Sequence, residues 1–281
     1  MSYTCFDVDI EDHIAHIQLK RPEQLNSMIP AFWAELPAII KDISDLAKAR
    51  VIVISSQGKH FCSGMDVSVF AASSGEVSDR RIRAQKSEAL RHYLHKLQDS
   101  VSCLDEARIP VLMAIQGGCV GGAVDLASAA DCRYGTEDAF FCIQEINIGM
   151  TADVGTFPRL CHLIPQGMVR ELAYTGRRLV GQRAKDIGFF NEIYESQQAM
   201  MDAVMKTAKE IAANAPLAVA GSKRMMNYAR DHSIKDGLDY VALWQAGISD
   251  PLDVQESFVA KAEKREANYP GLQVIPKNLG E

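Results

Sequence analysis

Short apolar runs alternate with a helical pattern in the first half of the chain. Residues 14–19 predict a strand, and residues 51–54 and 111–115 are continuous apolar runs. Continuous runs of this kind are typical of strands that are covered on both faces, as in parallel sheets. Between the first two runs, apolar residues recur at helical spacing over residues 32–46. The order strand, helix, strand predicts an α/β fold.

A second helical pattern precedes the strand at 111–115. Its apolar positions step by four and three from Leu90 to Leu104, which predicts an amphipathic helix. The small and polar residues before it, residues 67–78, predict a mobile loop that leads into this helix.

The last third of the chain is helical in pattern. Helices are predicted from Ser196 to Ala213, after Pro216, and from Asp253 to Ala267, with prolines near the breaks. We therefore expect a core over residues 1–199 and a helical region over residues 200–281. That region is too small for a separate catalytic unit, so we expect it to cover the sheet or to join subunits.

Composition narrows the class of protein. The chain has 281 residues, of which 47% are hydrophobic and 23% charged. These values exclude collagen-like, disordered and polytopic membrane proteins, and the length fits one large soluble domain. The net charge of −6 provides no overall attraction for nucleic acid or an anionic membrane, so neither is expected as a partner.

Cysteine usage and the ends of the chain predict a reducing compartment. The seven cysteines are scattered and form no C-x-x-C pair, which argues against a disulfide framework or a zinc site. The first residues, MSYTCFDVDIED, lack an apolar signal core, and the final NLGE is not a retention or peroxisomal signal. We expect a cytoplasmic protein.

Several familiar motifs are incomplete or absent in this sequence. Glycines at 117, 118, 121 and 122 follow a strand, but Cys119 and Val124 stand where a dinucleotide-binding G-x-G-x-x-G needs glycine. No phosphate-binding P-loop and no G-x-S-x-G hydrolase motif occurs. Glu88, His92 and His95 share a helix face that either binds a metal or is simply solvated, and the latter is the preferred interpretation. The basic run 80–86 has the same two kinds of interpretation, a solvated face or a phosphate contact.

Two glycine-containing junctions suggest a pair of backbone donors. Residues 58–66 follow the strand at 51–54, and residues 117–122 follow the strand at 111–115 and lead into a helix. Glycine permits close approach of a ligand, and a helix start leaves N–H groups unpaired. Two such donors aimed at one point would form an oxyanion hole, although ordinary tight turns give the same pattern.

Three carboxylates follow within about thirty residues. Asp125 lies among small apolar residues, Glu145 follows a strand-like segment, and Asp153 precedes Val154 and Gly155. A carboxylate with apolar neighbours has a raised pKa unless it is paired, which suits proton transfer near neutral pH. Each also has a structural interpretation. Asp125 and Asp153 could cap helices, and Glu145 could end a strand against solvent.

The motifs together resemble the crotonase (enoyl-CoA hydratase/isomerase) superfamily. The resemblance rests on residues 118–134, on residues 19–28 and on residues 61–66, which agree with the family in order and spacing. It implies a spiral of ββα units with a helical C-terminal trimerisation region. It also implies a homo-oligomer, a hexamer built as a dimer of trimers.

The resemblance also assigns the site. The N–H groups of Met65 and Gly122 would form the oxyanion hole for a thioester carbonyl. The residues expected to border the substrate around these amides are Ser63, Gly64, Asp66 and Gly121. No cofactor and no metal is implied, because coenzyme A is part of the acyl-CoA substrate.

The acids point to one branch of the family. Hydratases carry two glutamates, at the positions of Asp125 and Glu145, and a glycine where this chain has Asp153. The triple Asp125, Glu145 and Asp153 resembles the Δ3,5-Δ2,4-dienoyl-CoA isomerases, in which Glu145 and Asp153 would be the general acid and base. A hydratase must hold a water between two acids, and an extra side chain at 153 would occupy that space and add repulsive charge. We expect a dienoyl-CoA isomerase; the alternatives are an enoyl-CoA hydratase and a non-catalytic acyl-CoA-binding protein.

Overall fold

A computed structural model describes residues 3–71 and 80–278 of the chain. The part of the predicted loop at residues 67–78 that lies beyond Ala71 falls outside the described residues. The strands are β1 Phe6–Glu11, β2 Ile14–Leu19, β3 Val51–Ser56, β4 Val111–Ile115, β5 Gly118–Val120, β6 Cys132–Thr136, β7 Phe140–Cys142, β8 Leu179–Val180 and β9 Glu192–Tyr194.

Helices surround these strands. They are α1 Pro30–Asp45, α2 Ser68–Ala71, α3 Arg80–Glu106, α4 Gly122–Ala129, α5 Thr156–Leu163, α6 Gln166–Thr175, α7 Gly181–Asp186, α8 Gln197–Ala212, α9 Pro216–Asp231, α10 Ile234–Ile248 and α11 Pro251–Glu263. Two short 3-10 helices cover Pro22–Gln24 and Gln144–Ile148. The three predicted strands and the helices over 32–46 and 90–104 are all present.

The main sheet has six strands in the order β1-β2-β3-β4-β6-β9. Only β1 is antiparallel to its neighbour, and the other four pairings are parallel. Both faces are covered, as the continuous apolar runs predicted. Ile52 and Ile54 face the cluster that contains the buried side of α1, whereas Val51 and Val53 face the buried side of α8. Alternate residues of one strand therefore bury two separate cores.

A smaller sheet of three strands, β5-β7-β8, stands beside the main one. Its strand β5 pairs in parallel with β7 and leads directly into α4. The backbone of Cys119 in β5 also pairs with that of Cys62, in the loop that follows β3, through an isolated parallel β-bridge. The two predicted glycine-containing junctions are thus brought side by side by strand pairing.

The C-terminal helices differ in detail from the prediction. Ser196 is the N-cap of α8, as the pattern indicated, and its hydroxyl accepts a hydrogen bond from the Ala199 N–H. The last helix ends at Glu263 rather than Ala267, because Lys264 adopts a left-handed conformation with φ of 55°. The segment after Pro216 forms two helices, since the first ends at the C-cap His232 and the second begins after the N-cap Ser233.

The helix α8 packs on the main sheet. Its buried side chains Met200, Val204 and Ala208 belong to the same apolar cluster as Val51 and Leu112. The boundary predicted between residues 199 and 200 therefore falls inside a helix that covers the sheet. The division into a core and an assembly region remains a prediction.

Candidate active site

The loop after β3 is held against the start of α4 by backbone pairing. The Cys62 N–H donates to the Gly118 carbonyl at 3.1 Å, and the Val120 N–H donates to the Cys62 carbonyl at 3.1 Å. On its other side, the Met28 N–H donates to the Gly64 carbonyl at 2.8 Å. The loop is fixed from both sides, so its exposed backbone groups have a defined direction.

Two N–H groups at this junction have no acceptor among the described residues. They belong to Met65, whose backbone forms a β-bridge with Met28, and to Gly122, the first residue of α4. Met28 bonds to the carbonyl of Gly64 and to the N–H of Asp66, which leaves the Met65 N–H directed away from it. A free N–H at a helix start carries partial positive charge and attracts an oxyanion.

Glycine is required where the two segments meet. Gly64 has φ of 88°, and a Cβ there would lie 2.6 Å from the Val120 carbonyl oxygen and 3.4 Å from the Gly122 nitrogen. A side chain at 64 would therefore push the two loops apart. The same clash shows how close the first loop lies to the Gly122 N–H.

The acid Asp125 lies one turn into α4 and is 1% exposed. Its Oδ1 atom accepts hydrogen bonds from the Thr156 N–H at 2.6 Å and the Thr156 hydroxyl at 2.8 Å. Burial raises the pKa of this carboxyl to about 7, the Thr156 hydroxyl opposes the rise, and the charges of Glu145 and Asp153 add to it. Asp125 caps one backbone amide, as one interpretation predicted, but that amide belongs to α5 rather than to the helix of Asp125.

Glu145 lies in the 3-10 helix that follows β7, with its carboxyl turned toward Gly121. A Cβ built at Gly121 would lie 3.3 Å from Glu145 Oε1. The other oxygen, Oε2, is buried and has no hydrogen-bond partner in the part of the chain that the structure describes. Burial and the charge of Asp153 raise the pKa of Glu145. The Glu145 carboxyl thus lies beside the start of α4 with one of its oxygens buried and unpartnered.

Asp153 lies in the segment that joins the 3-10 helix to α5. Its side chain is half-buried, and this burial raises its pKa. It does not cap α5, whose N-cap is Gly155 with φ of 137°. The Asp153 carbonyl accepts a hydrogen bond of 2.8 Å from the side-chain amide of Gln98 in α3. The charges of Glu145 and Asp153 both act on Asp125, and that of Asp153 acts on Glu145, so the three acids lie near one another in the fold.

The remaining predicted site residues line the first loop. Asp66 accepts hydrogen bonds from the Ser27 hydroxyl at 2.7 Å and from the Ser68 hydroxyl at 2.6 Å. These bonds lower the pKa of Asp66 to about 2, those of Ser68 having the larger effect. The carboxylate thus orders the loop around Met65, while Ser63 is tied through its N–H to the Leu25 carbonyl at 3.0 Å.

The histidines of α3 serve other contacts. His92 Nε2 lies 2.7 Å from Glu88 Oε1 on an exposed face, and His95 Nδ1 lies 3.1 Å from Gln98 Oε1. Across residues 3–71 and 80–278, no group of three or more His, Cys, Asp and Glu side chains is placed to hold a metal ion. In the same ranges, no helix has the length and apolar character needed to cross a membrane.

Sequence reasoning missed Thr156 and Gln98. Thr156 is recognisable afterwards as the first residue of a helix directly after glycine, where a backbone N–H needs an acceptor from elsewhere. Gln98 gave no signal, because it is one polar position among many on an amphipathic helix. Its contact with Asp153 spans 55 residues of sequence and exists only in the folded chain.

The chain is similar to known proteins along most of its length. A model of the enoyl-CoA hydratase/isomerase family matches residues 9–272. The mitochondrial Δ3,5-Δ2,4-dienoyl-CoA isomerase of Mus musculus is 39% identical over 257 residues, which cover 91% of this chain and 78% of that protein. The peroxisomal Δ3,5-Δ2,4-dienoyl-CoA isomerase of Arabidopsis thaliana is 35% identical over 262 residues, 93% of this chain and 94% of that protein.

A solved structure shows the same fold. The crystal structure of enoyl-CoA hydratase from Bacillus anthracis superposes with a TM-score of 0.83 at 28% identity, over 95% of this chain and 99% of that one. The predicted fold class is confirmed, as is the prediction of an enzyme. On its sequence, its fold and the match over residues 9–272, the chain belongs to the enoyl-CoA hydratase/isomerase family, the crotonase superfamily.

Proposed function

We propose that the protein is a Δ3,5-Δ2,4-dienoyl-CoA isomerase, which moves the double bonds of a 3,5-dienoyl-CoA to the 2,4 positions. Its curated relatives at 39% and 35% identity carry that activity in their names. The observation that carries the proposal is the grouping of three acids with raised pKa beside two free backbone donors. We infer no cofactor, because the acid and base groups belong to the chain.

The thioester carbonyl binds at the junction of the two loops. Its oxygen accepts hydrogen bonds from the N–H groups of Met65 and Gly122, and Ser63, Gly64 and Gly121 border it. Negative charge develops on this oxygen when a proton leaves the neighbouring carbon, so the donors stabilise the transition state more than the ground state. Each such donor contributes about 3–4 kcal/mol of this stabilisation.

Proton transfer then needs two groups that face different carbons. The reaction removes a proton from C2 and returns one to C6, so that the electrons of the C–H bond at C2 pass through the conjugated chain. Glu145 and Asp153 perform these two steps, one as base and the other as acid. The unpartnered Oε2 atom of Glu145 and the raised pKa of both groups support these roles.

Asp125 limits the charge in the pocket. Its pKa of about 7 means that a proton resides on it for much of the time near neutral pH. Three neighbouring carboxylates resist joint ionisation, so a protonated Asp125 lets Glu145 or Asp153 stay charged and act as base.

The test is the absorbance of conjugated 2,4-dienoyl-CoA formed from a 3,5-dienoyl-CoA by the purified protein. Glu145→Gln and Asp153→Asn should each lower kcat at least a hundredfold, because general acid–base groups contribute about 10² to 10⁴ in rate. The exposed Glu195→Gln is the matched control and should retain the wild-type rate. An unchanged rate in Asp153→Asn would contradict the role given to that residue.

The same preparation distinguishes the alternatives. Rapid hydration of a 2-enoyl-CoA without dienoyl turnover would identify a hydratase, the activity named for the Bacillus anthracis structure. Thermal stabilisation by acyl-CoA esters with neither reaction would identify a binding protein.

We further propose that the chain assembles with copies of itself through its C-terminal helices, as a hexamer of two trimers. These helices expose large apolar side chains: Met226, Ile234, Leu238, Leu243, Leu252 and Phe258. The predicted cytoplasmic location stays a prediction, since two of the relatives are named as mitochondrial and peroxisomal.

A further inference from the structure

We propose that Gln98 is a positioning residue for Asp153, a role that rests on the proposed isomerase function. Gln98 lies on α3, a helix that contributes no acid to the site. Its side-chain Nε2 donates to the Asp153 carbonyl oxygen at 2.8 Å. The bond fixes the peptide that carries the acid, and through it the direction of the carboxyl group.

The segment around Asp153 has little other backbone support. Within the described residues, the backbone groups of residues 151–154 form no hydrogen bond with another residue apart from the one with Gln98. Gly149 and Gly155 flank the segment with φ values of 76° and 137°. The side chains of Ala152 and Val154 are buried and locate the segment, but apolar packing is non-directional. The rotation of the peptide between them therefore depends on Gln98.

Gln98 is itself held in place. The neighbouring Leu97 and the Val101 side chain one turn on are buried in the main core. The Gln98 Oε1 atom lies 3.1 Å from His95 Nδ1, which orients the amide so that its nitrogen faces Asp153. A donor that is fixed by packing and by a second hydrogen bond positions its acceptor more firmly than a free side chain does.

The same helix reaches the other half of the site. The Ser100 hydroxyl shares its proton between the Trp33 carbonyl of α1 at 2.9 Å and the Lys96 carbonyl of its own helix at 2.8 Å. A Cβ at Gly122 would lie 3.7 Å from the Trp33 ring, so Trp33 lies beneath the proposed oxyanion donor. One turn of α3 thus sets the distance between the bound carbonyl and Asp153. Proton transfer to a carbon far along the acyl chain is sensitive to that distance, since a shift of about 1 Å can cost about a hundredfold in rate.

The test compares Gln98→Leu and Gln98→Glu with Gln85→Leu, an exposed glutamine on the same helix. Leu and Glu match Gln98 in size but do not donate to a carbonyl at pH 8. We expect both to lower kcat on a 3,5-dienoyl-CoA by about ten- to a hundredfold, with KM within twofold of wild type. Gln85→Leu should keep both constants. If Gln98 only filled space, Gln98→Glu would keep the wild-type kcat. If the substitutions disturbed the structure in general, KM would rise as well.

A second measurement is independent of turnover. Hydrogen–deuterium exchange of the Thr156 amide, the N–H of residues 151–156 that donates to another described residue, should become faster in Gln98→Leu and stay unchanged in Gln85→Leu. With an active wild type, a wild-type kcat in Gln98→Leu overturns the inference, and so does unchanged exchange. If the wild type converts no dienoyl-CoA while exchange still rises in Gln98→Leu, the proposed function fails and the placement of Asp153 by Gln98 stands.

Discussion

The carboxylate of Asp125 accepts two hydrogen bonds from Thr156, one from the backbone N–H at 2.6 Å and one from the hydroxyl at 2.8 Å. Asp125 is on α4, and Thr156 begins α5. This pair joins the helix whose N-terminus carries the proposed oxyanion donor to the helix that follows Asp153. It holds the two halves of the proton-transfer site at a fixed separation, within a setting that favours the uncharged acid.

We expect Asp125→Asn to raise stability at alkaline pH. The pKa of Asp125 rises from 3.8 to about 7 on folding, so the fold favours its protonated form. The free energy of unfolding that wild type gains from protonated Asp125 is at its maximum below pH 3.8 and is lost as the pH rises to about 7. Asn is uncharged throughout and still accepts from Thr156. The variant's gain over wild type should therefore grow from about zero near pH 4 toward a limit of about 4 kcal/mol above pH 8.

Urea unfolding of both proteins between pH 4.5 and 8.5 measures this difference. A gap between the two proteins that does not change with pH would show that Asp125 is charged in the fold at all these values. Asp138→Asn, at an exposed position, should show no such pH-dependent gain.

We expect Gly121→Ala to impair turnover more than binding. Gly121 has φ of 55° and ψ of −125°, a conformation that costs a side-chain-bearing residue about 1–3 kcal/mol. The added Cβ would also lie 3.3 Å from Glu145 Oε1 and displace that carboxyl. We expect kcat on a 3,5-dienoyl-CoA to fall at least tenfold. The control is Gly167→Ala, an exposed position in α6 with open space for a Cβ, where kcat should be unchanged.

We expect Lys223→Met to destabilise the protein by about 1–3 kcal/mol, the cost of leaving buried carbonyls unsatisfied. Lys223 is 4% exposed, and its Nζ donates to the Leu104 carbonyl at 2.7 Å and to Asp131 Oδ2 at 2.8 Å. The variant leaves the Leu104 and Ile109 carbonyls without their buried donor, while Asp131, which is 25% exposed, keeps its hydrogen bond from the Val111 N–H. Chemical unfolding measures the loss. The exposed Lys206→Met is the control, and an equal effect in both variants would contradict a special role for the buried ammonium.

We expect Phe258→Asp to weaken the proposed assembly. Phe258 is 71% exposed on α11, so a charge there costs the isolated chain little, while at an apolar subunit contact it would be buried and unpaired. Light scattering after size-exclusion chromatography should show a smaller species. Tyr174→Asp, 68% exposed on α6, is the control. A wild-type mass in Phe258→Asp would place the contact elsewhere.

Much of the fold follows from local patterns. The apolar runs at 51–54 and 111–115 are buried parallel strands, because strands covered on both faces need side chains that are apolar throughout. The ends of the helices were predicted less well from the local sequence. Lys264 stops α11 in a left-handed conformation that its residue type did not indicate, and the break between α9 and α10 lacks glycine and proline.

By itself, the sequence determined the α/β class, the order of the acids and the glycines that allow two loops to approach each other. These features are local, or they lie in motifs of fixed spacing. The tertiary structure decided which amide Asp125 caps, which oxygen of Glu145 is unpartnered and which residue holds the Asp153 peptide. These depend on contacts between residues 31 and 55 positions apart, whose geometry arises only when helices pack on a common core.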